Sequence, residues 1–267
     1  MNELLIDTHA HLDLSDFDKD RAETIARALN ARVANIITVG TDLESSKKAI
    51  ELSEHYTGVY AAVGIHPQDT STISEADMAG IGKIAGHPRV VAIGETGLDF
   101  YRDRSPKAAQ IQALKWHLAL SAESGLPVII HCRQSEVEML ELLRSCLSEY
   151  GDSRGQYKGV IHCFSGDAQT AKEYLNMGFY LSLGAYIGYP SSRGIHGVIR
   201  SIPGERLLVE TDCPFLPPQT HRGKRNEPAY IPLTVKVLAA IREEPYEDIA
   251  RAITQNARRL FNLPANN

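Results

Sequence analysis

The sequence predicts an α/β chain folded as a single (β/α)8 TIM barrel, with residues 1–267 as one domain. Three observations carry this. Short β-rich runs alternate with helical stretches from one end of the chain to the other. No composition shift or low-complexity linker divides them. Finally, the chemically capable side chains fall where successive strands end, which is where a barrel of this kind keeps its chemistry.

In order, the strands are expected near Leu4–Thr8, Asn35–Val39, Val59–Val63, Val90–Gly94, Pro127–Ile130, Gly159–His162, Tyr180–Leu183 and Leu207–Thr211. Helical patterns between them include Asp20–Ala31, Leu43–His55, Ala108–Ser124, Glu136–Glu149, Ala168–Met177 and Tyr246–Phe261. Glycine and proline mark the joints, as in Gly125-Leu126-Pro127 ahead of the fifth strand. A doubly wound open sheet is the rival architecture. It would normally carry a glycine-rich phosphate turn after its first strand, where this chain has His9-Ala10-His11.

The bulk properties narrow the function classes. A net charge of −5 with histidine neutral gives no global basic field, so a polyanionic substrate must be caught locally. Glu3, Asp7 and His9 interrupt the first apolar run, so no secretory leader is expected. No apolar run approaches a membrane span in length. Cys132, Cys146, Cys163 and Cys213 form no Cys-x-x-Cys pair and read as free thiols. A cytoplasmic protein with no membrane and no obligate protein partner is the expectation.

A strand places residues i and i+2 on one face, so His9 and His11 can hold one ion together. Composition alone yields roughly 0.4 such pairs in a chain like this, so the pair needs partners. They follow in order: Glu95 in "IGETG", His131 in "VIIHCR", His162 in "VIHCFSG" and Asp212 in "VETDCP". Four histidines and two carboxylates at strand ends exceed what one tetrahedral zinc requires, which points to two cations. A carboxylate bridges two ions through its two oxygens and an imidazole cannot, so Glu95 is the natural bridge. His9, His11 and Asp212 would complete one shell, and His131 with His162 the other. Two ions about 3.5–4 Å apart lower the pKa of a shared water and stabilise attacking and leaving oxygens, which is hydrolysis chemistry. The donor set suits Zn²⁺ or Mn²⁺, with Mg²⁺ normally preferring more oxygen.

"THRGKRNEP" follows the eighth strand and gathers Arg222, Lys224 and Arg225 around a glycine, where barrels often bind anions. Arg133 lies two residues past His131 and points the same way if alternation persists. "YRDR" adds Arg102 and Arg104, with Tyr101 available to stack on a base. A basic rim beside two cations suits a phosphodiester. His66, in "GIHP" after the third strand, is either a support for the metal site or a substrate contact. His55, His87, His117 and His196 fall in helices or loops, where surface or core-edge roles suffice. Cys132, Cys163 and Cys213 each follow a candidate ligand directly, so alternation turns them towards the helical layer as small apolar groups.

The stretches "IDTHAHLD", "AVGIHP", "IGETGLDFYRDRSP", "VIIHCR", "HCFSG" and "ETDCPFLPPQTHRGKRNEPAYI" resemble the TatD-like metal-dependent deoxyribonucleases, a branch of the amidohydrolase-like TIM barrels. The likeness runs from Ile6 to Ile231 in βα order. It implies two divalent cations, Mg²⁺, Zn²⁺ or Mn²⁺, held by His9, His11, Glu95, His131, His162 and Asp212. It also implies hydrolysis of DNA, as a single strand or from a 3′ end. Asp212 in such barrels is both ligand and proton acceptor, with Glu95 and Glu210 the other catalytic candidates; Glu210 is alternatively a supporting residue. Gln68 and "HCRQS" depart from the usual pattern outside the metal ligands, which leaves substrate preference open. The alternatives are an aminoacyl-tRNA deacylase removing D-amino acids, a small-molecule amidohydrolase or lactonase, and a metal-dependent binding protein without turnover.

Overall fold

The computed structural model describes residues 4–102 and 104–264. Glu3 and Asp103, both used in the sequence reading, lie outside the described residues. Eight parallel strands stand in the sheet in chain order: β1 (Leu5–Ala10), β2 (Val33–Val39), β3 (Val59–Val63), β4 (Val90–Asp99), β5 (Val128–Arg133), β6 (Gly159–Ile161), β7 (Tyr180–Leu183) and β8 (Leu207–Val209). A helix follows each: α1 (Arg21–Asn30), α2 (Leu43–His55), α3 (Glu75–Ile84), α4 (Lys107–Ser124), α5 (Glu136–Tyr150), α6 (Ala168–Asn176), α7 (His196–Ser201) and α8 (Ile231–Arg242). One more, α9 (Tyr246–Phe261), ends the fold.

The sheet closes on itself. Ala10 bridges Cys213, the Asp212 N–H donates to the His9 carbonyl at 2.9 Å, and the His11 N–H donates to the Cys213 carbonyl at 2.9 Å. Side chains reinforce this seam where β8 has already ended. Asp7, fully buried, accepts from the Thr211 N–H at 2.9 Å and from its hydroxyl at 2.5 Å. This seam joins the segment after β8 to the end of β1. It also fixes the orientation of the segment that carries Asp212.

Two apolar layers hold the barrel. Inside, near the strand starts, Ile6, Val91, Ile129, Val160 and Leu208 form one buried cluster with Leu260 and Phe261 of α9. Asn256 on the same helix donates to the carbonyls of Gly204 and Leu207 at 2.8 and 2.9 Å, pinning α9 across the mouth at that end. Outside, Leu98, Ile130, Ile161 and Leu183 pack with helix residues such as Leu114, Leu143 and Leu238. No described helix is long and apolar enough to cross a membrane.

Three strands run further at their C-terminal ends than the sequence pattern indicates, β1 continuing from Thr8 to Ala10. β4 continues from Gly94 to Asp99, and β5 from Ile130 to Arg133. Glu95 and His131 therefore lie within strands rather than at their ends. The cause is a register shift between Ile93 and Thr96, which restarts the pairing as Thr96↔Ile130 and Gly97↔His131. Gly97 has φ +149°, and a Cβ there would stand 1.9 Å from the His131 carbonyl oxygen. Only glycine permits so close an approach, which is why "GETG" reads as a break in pattern although it is strand.

Candidate metal centre

The six expected ligands converge on one point towards the C-terminal side of the barrel. His9 and His11 bring their Nε2 atoms within 3.3 Å of one another, as the i, i+2 spacing requires. The His9 and His162 rings stack at 4.1 Å between centroids. Glu95, 3 % exposed, sits between two groups of rings. Its Oε2 lies 3.3 Å from His9 Nε2 and 3.8 Å from His11 Nε2. Its Oε1 lies 2.6 Å from His131 Nδ1, 2.9 Å from His162 Nε2 and 3.7 Å from His66 Nε2. Asp212 Oδ1 stands 3.4 Å from His11 Nε2 and 3.9 Å from His9 Nε2.

The outward nitrogens of His11, His162 and His131 each face an oxygen, while the buried His9 Nδ1 has no hydrogen-bond partner among the described residues. His11 Nδ1 lies 2.9 Å from the Val39 carbonyl oxygen. His162 Nδ1 faces Glu210 Oε1 at 3.3 Å, and His131 Nε2 faces Asp99 Oδ2 at 3.3 Å. A carboxylate or carbonyl behind an imidazole fixes its tautomer and orientation and raises its basicity towards an ion. Three nitrogen–carboxylate groups compact enough for a cation result: His9, His11 and Asp212; His9, Glu95 and His162; and His66, Asp99 and His131. An N/O donor set of this kind fits divalent cations.

The charges are tightly coupled. Burial works against the Glu95 carboxylate, but His162, His66 and His9 around it keep its pKa well below the usual carboxylate range. Burial also opposes charge on His11, yet Asp212 beside it pushes its pKa up to about 9. Asp212 is held down by His11, His162 and His9 against its own burial. A proton and a cation compete for these nitrogens.

Of the remaining expected residues, Glu210 stands behind His162, on the side of its Nδ1. Its Oε1 accepts from the Cys163 N–H at 2.6 Å while facing His162, so the geometry favours support over a direct part in chemistry. His66 lies at the site, and its Nδ1 accepts from the Gln68 N–H at 3.1 Å, which leaves Nε2–H as the donor turned towards Glu95. Arg133 stacks on Tyr101 at 3.9 Å and both are exposed. Arg222 stacks on Tyr189 at 4.5 Å, and Lys224 is exposed.

Arg225 behaves differently from its neighbours. Its guanidinium makes two 2.7 Å hydrogen bonds to Asp20 and one of 3.0 Å to Glu227, so it ties the loop to α1 rather than waiting for an anion. Cys132 and Cys163 are half-buried and Cys213 is fully buried; no cysteine joins a candidate cation group among the described residues. His117 is not at the core edge. It is fully buried, its Nε2 accepting from the Ile65 N–H at 3.0 Å and its Nδ1 lying 2.7 Å from the Ala113 carbonyl oxygen.

Sequence reasoning missed two buried carboxylates. Asp7 precedes His9 by two residues and Asp99 follows Glu95 by four, so strand alternation already placed each on its ligand's face. Burial pushes the Asp7 pKa up to about 7 against its bonds from Thr211. Asp99 is 2 % exposed and accepts from the Tyr101 N–H at 2.9 Å.

Comparison with known proteins agrees with this geometry. The family profile described as TatD related DNase matches residues 6–262. The chain is 41 % identical to the uncharacterized metal-dependent hydrolase YabD of Bacillus subtilis, over 97 % of this chain and 100 % of that protein. It is 38 % identical to the 3′-5′ ssDNA/RNA exonuclease TatD of Cronobacter sakazakii, over 96 % of this chain and 97 % of that one. The crystal structure of YJJV, a TatD homologue from Escherichia coli, superposes with a TM-score of 0.90 at 32 % identity, covering 99 % of this chain and 100 % of its own. A site, a fold and a sequence likeness that coincide over this length have one reading: the chain belongs to the TatD-related DNase family of enzymes.

Proposed function

We propose that the protein is a metal-dependent hydrolase of phosphodiester bonds, working on single-stranded DNA from its 3′ end with two divalent cations, Mg²⁺, Zn²⁺ or Mn²⁺, at the centre described above. One observation carries the reading. The two oxygens of Glu95 serve two different sets of histidines, Oε2 facing His9 and His11 and Oε1 facing His131 and His162. A buried carboxylate divided in this way could hold a cation on each of its oxygens. The curated relatives described as 3′-5′ ssDNA/RNA exonucleases support the choice of substrate.

Two divalent cations supply Lewis acidity towards phosphoryl oxygens and a nucleophile near neutral pH. The chain's own groups do the rest. His9, His11 and Asp212 hold one side of the centre, and His131 and His162 the other, about the shared Glu95. Asp212, kept ionised by the imidazoles round it, accepts the proton of the attacking water. His66 offers its Nε2–H to a phosphoryl oxygen. Glu210 and Asp99 hold His162 and His131 in their orientations. Arg133, Arg222 and Lys224 meet neighbouring phosphates at the rim.

The test is degradation of a 3′-end-labelled single-stranded oligonucleotide with added Mg²⁺ or Mn²⁺, comparing wild type with Glu95→Ala purified identically. Release of the label by wild type and its loss in the variant supports the assignment. Equal release by both rejects this site as the source, and no release by either rejects DNA in favour of aminoacyl-tRNA esters or small amides.

A further inference from the structure

Among the described residues, four large apolar side chains stand open to solvent: Leu29, Tyr101, Val137 and Phe215. Leu29 and Val137 lie on the outer helices α1 and α5. Tyr101 and Phe215 lie on loops that leave β4 and β8 at the catalytic end. Scattered exposed apolar residues need no explanation, but aromatics beside a reaction centre do.

The two rim aromatics differ in what already covers them. The Arg133 guanidinium caps one face of Tyr101 at 3.9 Å. Over Phe215 no cation is stacked among the described residues, and its ring contact is His11, at 6.2 Å between centroids and 66° between planes. Phe215 therefore stands next to a candidate ligand while 53 % exposed.

Its backbone is anything but loose. The Phe215 N–H donates to the Asp212 carbonyl at 2.9 Å. Asn226, fully buried, donates through Nδ2 to the carbonyls of Thr211 at 2.8 Å, Phe215 at 2.7 Å and Leu216 at 3.3 Å. A buried amide thus clamps the segment between Asp212 and Leu216 and fixes where the ring stands. An aromatic held rigidly and left uncovered contributes little to folding, but it is ready to receive a flat apolar face.

We infer that Phe215 is a stacking platform for an unpaired nucleobase, seating the terminal nucleotide so that its phosphate meets the centre between His11 and Asp212. The inference rests on the nucleic-acid reading proposed above and adds a subsite to it. Every base has a π-face, so such a platform tolerates sequence. A base still paired in a duplex has its faces stacked within the helix and cannot lie on the ring, so the platform selects single strands or frayed ends.

The experiment compares wild type, Phe215→Ala and Phe215→Trp, each as the full chain with added Mg²⁺ or Mn²⁺. Substrates are a single-stranded oligonucleotide and the same oligonucleotide with an abasic 3′-terminal residue. Phe215→Ala should raise KM for the normal strand at least about five-fold, with kcat little changed. On the abasic strand it should match wild type. Phe215→Trp should restore the wild-type KM, and Tm should be the same in all three. A wild-type KM in Phe215→Ala, or an equal rise on the abasic strand, overturns the inference alone. Failure of wild type to cleave either strand removes the nucleic-acid reading and the inference with it.

Discussion

At the starts of their strands, Ile6, Val91 and Ile129 pack in one cluster with Leu260 and Phe261 of α9; past their middles, the same strands carry His9, Glu95 and His131. One mouth is an apolar plug. The other is a nest of buried histidines and carboxylates, with a register shift after Ile93 and left-handed residues at Cys163 and Asp212. Burying ionisable groups opposes folding, whereas burying Phe261 favours it. The fold therefore draws its stability from the end that does no chemistry, and the reactive end is free to be costly.

That division can be broken first at the plug. Phe261→Ala removes a side chain that is 2 % exposed and should lower stability by about 3–5 kcal/mol. Nuclease activity at a temperature where both proteins are folded should be unchanged. A matching fall in kcat would show that the two mouths are coupled.

A second prediction uses the one fully buried histidine that serves structure. Burial pushes the His117 pKa down to about 4, while its unfolded value is about 6.5. Between those values the unfolded chain binds the extra proton. The stability owed to neutral His117 is therefore complete above about pH 6.5 and is lost as pH falls towards 4. Denaturant melts at several pH values should show wild type losing on the order of 3 kcal/mol more than His117→Gln over that window. Parallel curves would contradict this reading of His117.

Glu210 tests the reactive mouth from behind. Glu210→Gln should cost about 10–100-fold in cation affinity or activity, with activity recovered at high cation concentration. A kcat that no cation concentration restores would make Glu210 a direct participant. The smallest effects belong to the loop after β8. Arg222→Ala should weaken DNA binding and reduce its salt slope by roughly 0.7. Arg225→Ala should leave that slope alone and lower Tm instead, because its partners are Asp20 and Glu227. Equal salt slopes for the two variants would erase the distinction.

Much of this was legible in the sequence, for reasons that differ by element. The six converging residues could be picked out because each closes a strand-like run and because His9 and His11 obey a two-residue spacing that the structure keeps. The extra length of β4 was hidden by Gly94 and Gly97, which read as turn residues although the close approach of β5 demands them. Helix α3 was masked in the same way by Gly80, where a Cβ would come within 2.7 Å of Leu43. Arg225 read as an anion ligand because a charge run does not reveal its long-range partners; Asp20 lies 205 positions away. The burial of His117 depends on α4 meeting β4 and the segment after β3, where Thr96 and Ile65 lie, which local spacing does not encode.

The central claim, two cations either side of Glu95, is tested most directly by counting ions. Isothermal titration of the metal-free protein with Mn²⁺ or Zn²⁺, checked by elemental analysis after dialysis, should give two ions per chain in wild type and fewer in Glu95→Ala. One ion per chain in wild type, or two in both proteins, would contradict the account of Glu95 as the bridge.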